Sequence, residues 1–166
     1  MSYEINIIAV NQIKPIHMKD LSIIILQNEI EHFGVNRYAE IWPFFSSTQG
    51  ILYSLVTEIQ DGLYNALELC DSNFEVVVPD NLLPSWISED IRENLTPFIV
   101  KENVYKEFIS ILKYLLENAP QKKILFQTRY QGGDEEIVFG VIRLSHFIDM
   151  LNKNQVLFNV CYIITK

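Results

Sequence analysis

From Tyr38 to Ile91 the chain contains no lysine and no arginine. The same stretch holds nine carboxylates, Glu40, Glu58, Asp61, Glu68, Asp71, Glu75, Asp80, Glu89 and Asp90, and so accounts for the whole formal charge of −8. A field of one sign over part of a surface steers basic partners and repels nucleic acid. Cysteine is scarce as well. Cys70 and Cys161 stand far apart without Cys-x-x-Cys spacing, and read as two separate core hydrophobes. The longest apolar run near the N-terminus, Ile23 to Leu26, is too short for a secretory core or a membrane span, and no basic segment precedes it. The expectation is a cytoplasmic protein with no membrane partner. Glycine and proline, six each, gather into no linker, and no repeat divides the chain, so residues 1–166 read as one domain.

What is present is enough apolar material for a packed core: 49% of the residues are hydrophobic and 12% aromatic. Glu4 to Val10 reads as a buried strand. Lys19 to Phe33, with Leu21, Ile24, Ile25, Asn28 and Phe33 at near-helical spacing, predicts a helix ended by Gly34. Gly50 to Cys70 predicts a second helix, because Leu52, Leu55, Val56, Ile59, Leu63, Ala66 and Leu67 recur at intervals of three and four. Its weak point is Asp61-Gly62, a hairpin-turn dipeptide. Phe74 to Val78 reads as a strand, and Ser88 as the cap of a short helix that Pro97 ends. Asn103 to Glu117 carries the apolar stripe Val104, Phe108, Ile111, Leu112 and Leu115 of an amphipathic helix. Lys123 to Tyr130 and Glu136 to Arg143 predict an antiparallel hairpin around Gln131-Gly132-Gly133-Asp134. A short helix capped by Ser145 follows, with Phe147, Ile148 and Leu151 on one side. Val156 to Ile164, apolar on both faces, predicts a strand inside the sheet. The sum is an α+β fold, helices packed on a mostly antiparallel sheet, with a C-terminal β-hairpin-α-β unit.

If Gly50 to Cys70 is helical, Glu58, Asp61, Asn65 and Glu68 fall within about 80° of one another and form a ridge opposite the apolar stripe. Like charges at this spacing repel by a few tenths of a kcal/mol per pair. A basic partner that neutralises them on binding explains the arrangement, and a plain solvated face is the competing explanation. Asp71, Glu89 and Asp90 extend the acidic set. Trp42 and Trp86, in the same window beside prolines, are candidate apolar anchors, although core packing is the favoured role of each, since a chain with ten Phe and eight Tyr needs no interface to explain its aromatics. The Gly132-Gly133 turn has neither the lysine nor the strand-to-helix setting of a phosphate loop. His17, His32 and His146 have no metal-ligand spacing, and Ser145 and His146 are helical neighbours that point apart. No catalytic residue, metal or cofactor is expected.

The segment Lys123 to Ile164 adds a pattern of its own. Its strand Ile137-Val138-Phe139-Gly140-Val141-Ile142, helix Phe147-Ile148-Asp149-Met150-Leu151 and closing strand Phe158-Asn159-Val160-Cys161-Tyr162-Ile163-Ile164 resemble the C-terminal part of small bacterial immunity proteins. Those proteins are encoded beside polymorphic or contact-dependent-inhibition toxins. The resemblance spans about a quarter of the chain. It implies a cytoplasmic, non-catalytic inhibitor of one cognate toxin domain, and basic nucleases among such toxins would match the acidic window. A small enzyme or ligand-binding domain, with an apolar pocket between sheet and helices and a histidine beside a carboxylate, is the alternative.

Overall fold

The computed structural model describes residues 3–30, 50–71, 85, 88–90, 95–130 and 137–166. Among these residues nine strands and two helices make an α+β fold built on a mostly antiparallel mixed sheet. The strands are β1 (Tyr3–Val10), β2 (Ile24–Ile30), β3 (Gly50–Gln60), β4 (Leu63–Asn65), β5 (Cys70–Asp71), β6 (Ile99–Val100), β7 (Lys123–Tyr130), β8 (Ile137–Arg143) and β9 (Val160–Thr165). The helices are α1 (Glu102–Asn118) and α2 (Leu144–Asn152). The main sheet runs β2-β3-β1-β7-β9-β8, with β4 paired to the far end of β3 and β5 and β6 forming a separate two-stranded ladder.

Alternation along the strands builds two apolar layers. On β1, Ile5, Ile7 and Ala9 face the larger cluster, while Ile8 and Val10 face a smaller one with Leu125, Cys161 and Ile163. The buried stripe of α1, Val104, Phe108, Ile111, Leu112 and Leu115, joins the larger cluster as its spacing predicts. Phe147 and Leu151 of α2 join it too. At its centre the Phe126 ring meets Phe98, Phe108 and Phe147 at centroid distances of 5.5, 5.8 and 5.2 Å, mostly tilted or edge-on. Each such side chain contributes about 1.5–3 kcal/mol by leaving water. One glycine is set by close approach. A Cβ at Gly50 would lie 2.6 Å from the Ala9 carbonyl oxygen, so the β1–β3 pairing has no room for a larger residue there.

Four expectations are corrected. The helix predicted over Lys19 to Phe33 is in part a strand: Ile24–Ile30 pairs antiparallel with β3, and the apolar run Ile23–Leu26 serves a sheet edge. The helix predicted over Gly50 to Cys70 is the hairpin β3–β4 followed by a 3₁₀ turn, Leu67–Leu69. The predicted hairpin between Lys123–Tyr130 and Glu136–Arg143 does not pair. Both strands bond to β9 instead, β7 antiparallel and β8 parallel. Doubly apolar Val160–Ile164 takes an interior place in the sheet, and by inserting between β7 and β8 it turns β8-α2-β9 into a parallel crossover. Ser145 lies within the first turn of α2 and Arg143 holds the cap position.

Val156 to Phe158 precedes β9 and docks on the segment before β6. The Phe98 N–H donates to the Val156 carbonyl at 2.7 Å, and the Phe158 N–H to the Thr96 carbonyl at 2.9 Å. The predicted strand Phe74 to Val78 lies outside the described residues. Among the described residues no helix is long and apolar enough to cross a membrane.

Candidate interaction surface

The sequence of β3 divides the strand in two. Ile51, Tyr53 and Leu55 point into the core at period two, and the residues between them are only partly covered. Tyr53 also ties down the chain that follows β1. Its buried hydroxyl accepts the Ile16 N–H at 3.0 Å and donates to Gln12 Oε1 at 2.5 Å, and burial raises its pKa. Beyond Thr57 burial ceases, and every residue from Glu58 to Tyr64 is exposed.

This exposed end is an ordered hairpin. Thr57 pairs with Asn65, Glu58 with Tyr64 and Gln60 with Leu63, and a bulge at Ile59 shifts the register. Asp61 and Gly62 form the two-residue loop at φ of 47° and 81°. Two positive φ values in succession match the twist of paired strands, and Asp-Gly is suited to them. The Glu58 carboxylate accepts the Gly62 N–H at 3.2 Å, and Thr57 Oγ1 donates to the Asn65 carbonyl at 2.9 Å. Glu58 thus has a structural task besides its charge. The tip also exposes Ile59 (58%), Leu63 (67%) and Tyr64 (45%).

The helical ridge expected of the acidic set is therefore not formed. Glu58 and Asp61 share the hairpin tip, Asn65 is half-buried at its foot, and Glu68 sits exposed on the 3₁₀ turn. A cation from outside the window reaches Glu68: Lys101 Nζ lies 3.4 Å from its carboxylate. Asp71 is exposed on β5 and, with Glu102, Tyr105, Lys106 and Asn152, lines a cavity of about 490 Å³. Glu89 and Asp90 are exposed and helical. Trp42 and Trp86 lie outside the described residues. Ile59 and Leu63, assigned by helical spacing to a buried stripe, are on the surface. The Asp61-Gly62 dipeptide was the signal that pointed to a hairpin, and the alternation of Ile51, Tyr53 and Leu55 beside it was hidden by Leu52 and Val56.

Elsewhere, His17 and His146 are exposed, and His32 lies outside the described residues. Among the described residues no group of histidine, cysteine, aspartate and glutamate is arranged to hold a metal ion. Cys70 and Cys161 are buried in different layers. A groove of about 810 Å³ runs between α1 and α2, with Leu116 and Leu144 among its apolar residues and Lys113, Glu117 and Lys166 among its charged ones. The Lys166 ammonium, 2.8 Å away, holds the Glu117 carboxyl below the usual carboxylate range. Neither this groove nor the cavity at Asp71 is lined by a histidine. Compared with protein-family models, with characterised proteins and with solved structures, the chain has no match.

Proposed function

We propose that this chain is a non-catalytic binding protein of the immunity type, which neutralises a basic toxin domain, a nuclease foremost, by covering its cationic substrate groove. The observation that carries the reading is the pair Glu58 and Asp61, exposed on a projecting hairpin in a stretch without lysine or arginine. Among the described residues neither has a cation within ion-pair distance. A fixed patch of negative potential at a projecting tip meets a diffusing basic partner early, and so speeds encounter more than it deepens affinity. Glu89, Asp90 and Asp71 are exposed carboxylates of the same cation-free stretch, while Glu68 is already matched by Lys101. The resemblance of Lys123 to Ile164 to immunity proteins supplies the class of partner.

The experiment pairs this chain with the C-terminal domain of a secreted protein encoded next to it. Co-expression should restore growth to cells poisoned by that domain. Glu58→Lys with Asp61→Lys should slow association by about tenfold or more at low salt, with the difference shrinking as salt rises. Equal killing with and without this chain would refute the reading. The groove between α1 and α2 favours the second reading, a small-molecule binding domain, since its volume of about 810 Å³ fits a compact apolar ligand. Binding of such a ligand in the absence of any protein partner would support it.

A further inference from the structure

We infer that the tip of the β3–β4 hairpin is an insertion element, in which Ile59, Leu63 and Tyr64 enter an apolar cleft of a basic protein while Glu58 and Asp61 meet lysine and arginine at its rim. The inference rests on the proposed function and adds the structural element that would make the contact. Six large hydrophobic residues stand exposed among the described residues: Ile13, Ile59, Leu63, Tyr64, Tyr114 and Val141. Scattered singly they need no explanation, but three of them fall within six positions at the end of one hairpin.

Two further features mark this tip as a contact surface. It is stiff, since the Asp61-Gly62 loop, the Glu58 to Gly62 hydrogen bond and the Thr57 to Asn65 hydrogen bond fix its shape before any partner arrives. A preformed element loses little conformational entropy on docking, and a tyrosine supplies large contact area on few rotatable bonds. It is also mixed in character, with an apolar knuckle flanked by carboxylates. Glu58 and Tyr64 are register partners, so charge and ring stand side by side.

Charge selects the occupant. A second copy would bring the same carboxylates against these, and an anionic membrane would repel them, whereas a cleft with a cationic rim satisfies both the apolar and the acidic parts. Truncating the apolar residues should therefore act on dissociation without salt dependence. Neutralising the carboxylates should act on association with strong salt dependence.

The test uses the full chain with p-benzoylphenylalanine in place of Leu63 or Tyr64. The control is the same probe in place of Val141 on β8, which is 52% exposed and separated from β3 by three intervening strands. After irradiation in cells, the protein crosslinked at the tip is identified, purified and measured against wild type, Leu63→Ser with Tyr64→Ala, and Glu58→Gln with Asp61→Asn. Support requires a basic protein crosslinked at the tip but not at the Val141 position. It also requires dissociation at least about tenfold faster for the apolar variant at every salt concentration, with unchanged circular dichroism. A basic partner whose dissociation is unaffected by the apolar variant overturns the insertion element and leaves the proposed function standing. A tip crosslinked to its own chain, to lipid or to nothing overturns the inference, and the absence of any basic partner removes the proposed function with it.

Discussion

Gln127 presents the clearest cost at the scale of one residue. It lies on β7 at 1% exposure, opposite Asn6 on β1 and Cys161 on β9, and neither its Nε2 nor its Oε1 has a hydrogen-bond partner. An unpaired buried amide costs about 1–3 kcal/mol. Gln127→Leu should therefore raise stability by an amount of that order, seen as roughly 2–4 °C in Tm per kcal/mol, while Gln127→Glu should lower it. A leucine variant that melts below wild type would show the amide to be satisfied in solution. Tyr162 makes a second prediction. Its hydroxyl is buried and accepts the Leu157 N–H at 2.9 Å, and burial raises its pKa far above the ordinary value near 10. Above pH 10 the unfolded chain releases this proton while the folded chain keeps it, so the contribution is whole below pH 10 and is lost as pH rises. The slope is about 1.4 kcal/mol per pH unit for one such group. Tyr53, also raised, acts in the same direction. Urea denaturation between pH 9 and 11 should show the decline, with a shallower slope in Tyr162→Phe.

Among the elements, the start of β2 depends on a side chain from α1. Glu107 accepts the Ile23 N–H at 2.5 Å and the Ser22 hydroxyl at 2.7 Å, fixing the chain where it enters the sheet edge. Glu107→Ala should cost about 1.5–3 kcal/mol and accelerate amide exchange at Ile23, with Glu107→Gln milder. Exchange at Ile23 equal to wild type in the alanine variant would exclude this anchoring. The hairpin tip has its own check. Gly62 holds φ at 81°, so Gly62→Val should cost about 1–2 kcal/mol and loosen the tip without touching the core. The elements differ in how legible they are. α1 could be read from sequence because its stripe meets a sheet on one side only, and β1 and β7 because their apolar runs are short and bounded. β3 could not. Leu52 and Val56 on its second face are apolar too, which fills in the alternation of Ile51, Tyr53 and Leu55 until it counts as helical spacing. In the interaction surface, the charges of Glu58 and Asp61 were legible as an unrelieved acidic stretch. The exposure of Leu63 and Tyr64 was not, because it follows from where the hairpin leaves the core.

For the molecule as a whole, the fold class followed from composition and periodicity, whereas the strand order did not. Parallel pairing of β8 with β9 and antiparallel pairing of β7 with β9 depend on long-range competition for one doubly apolar strand, which no local pattern records. The position of β9 makes a further prediction. Val160→Asp or Ile164→Asp should unfold the protein outright, since each places a charge in the larger apolar cluster. A folded, cooperatively melting Ile164→Asp variant would contradict that placement. Because β9 follows every other described strand along the chain, β7 and β8 leave the ribosome with their inner edges unsatisfied and must wait for the strand that joins them. Synthesis therefore passes through a period when two sticky borders face each other with nothing between, and chaperone demand and inclusion-body formation should both trace to that interval.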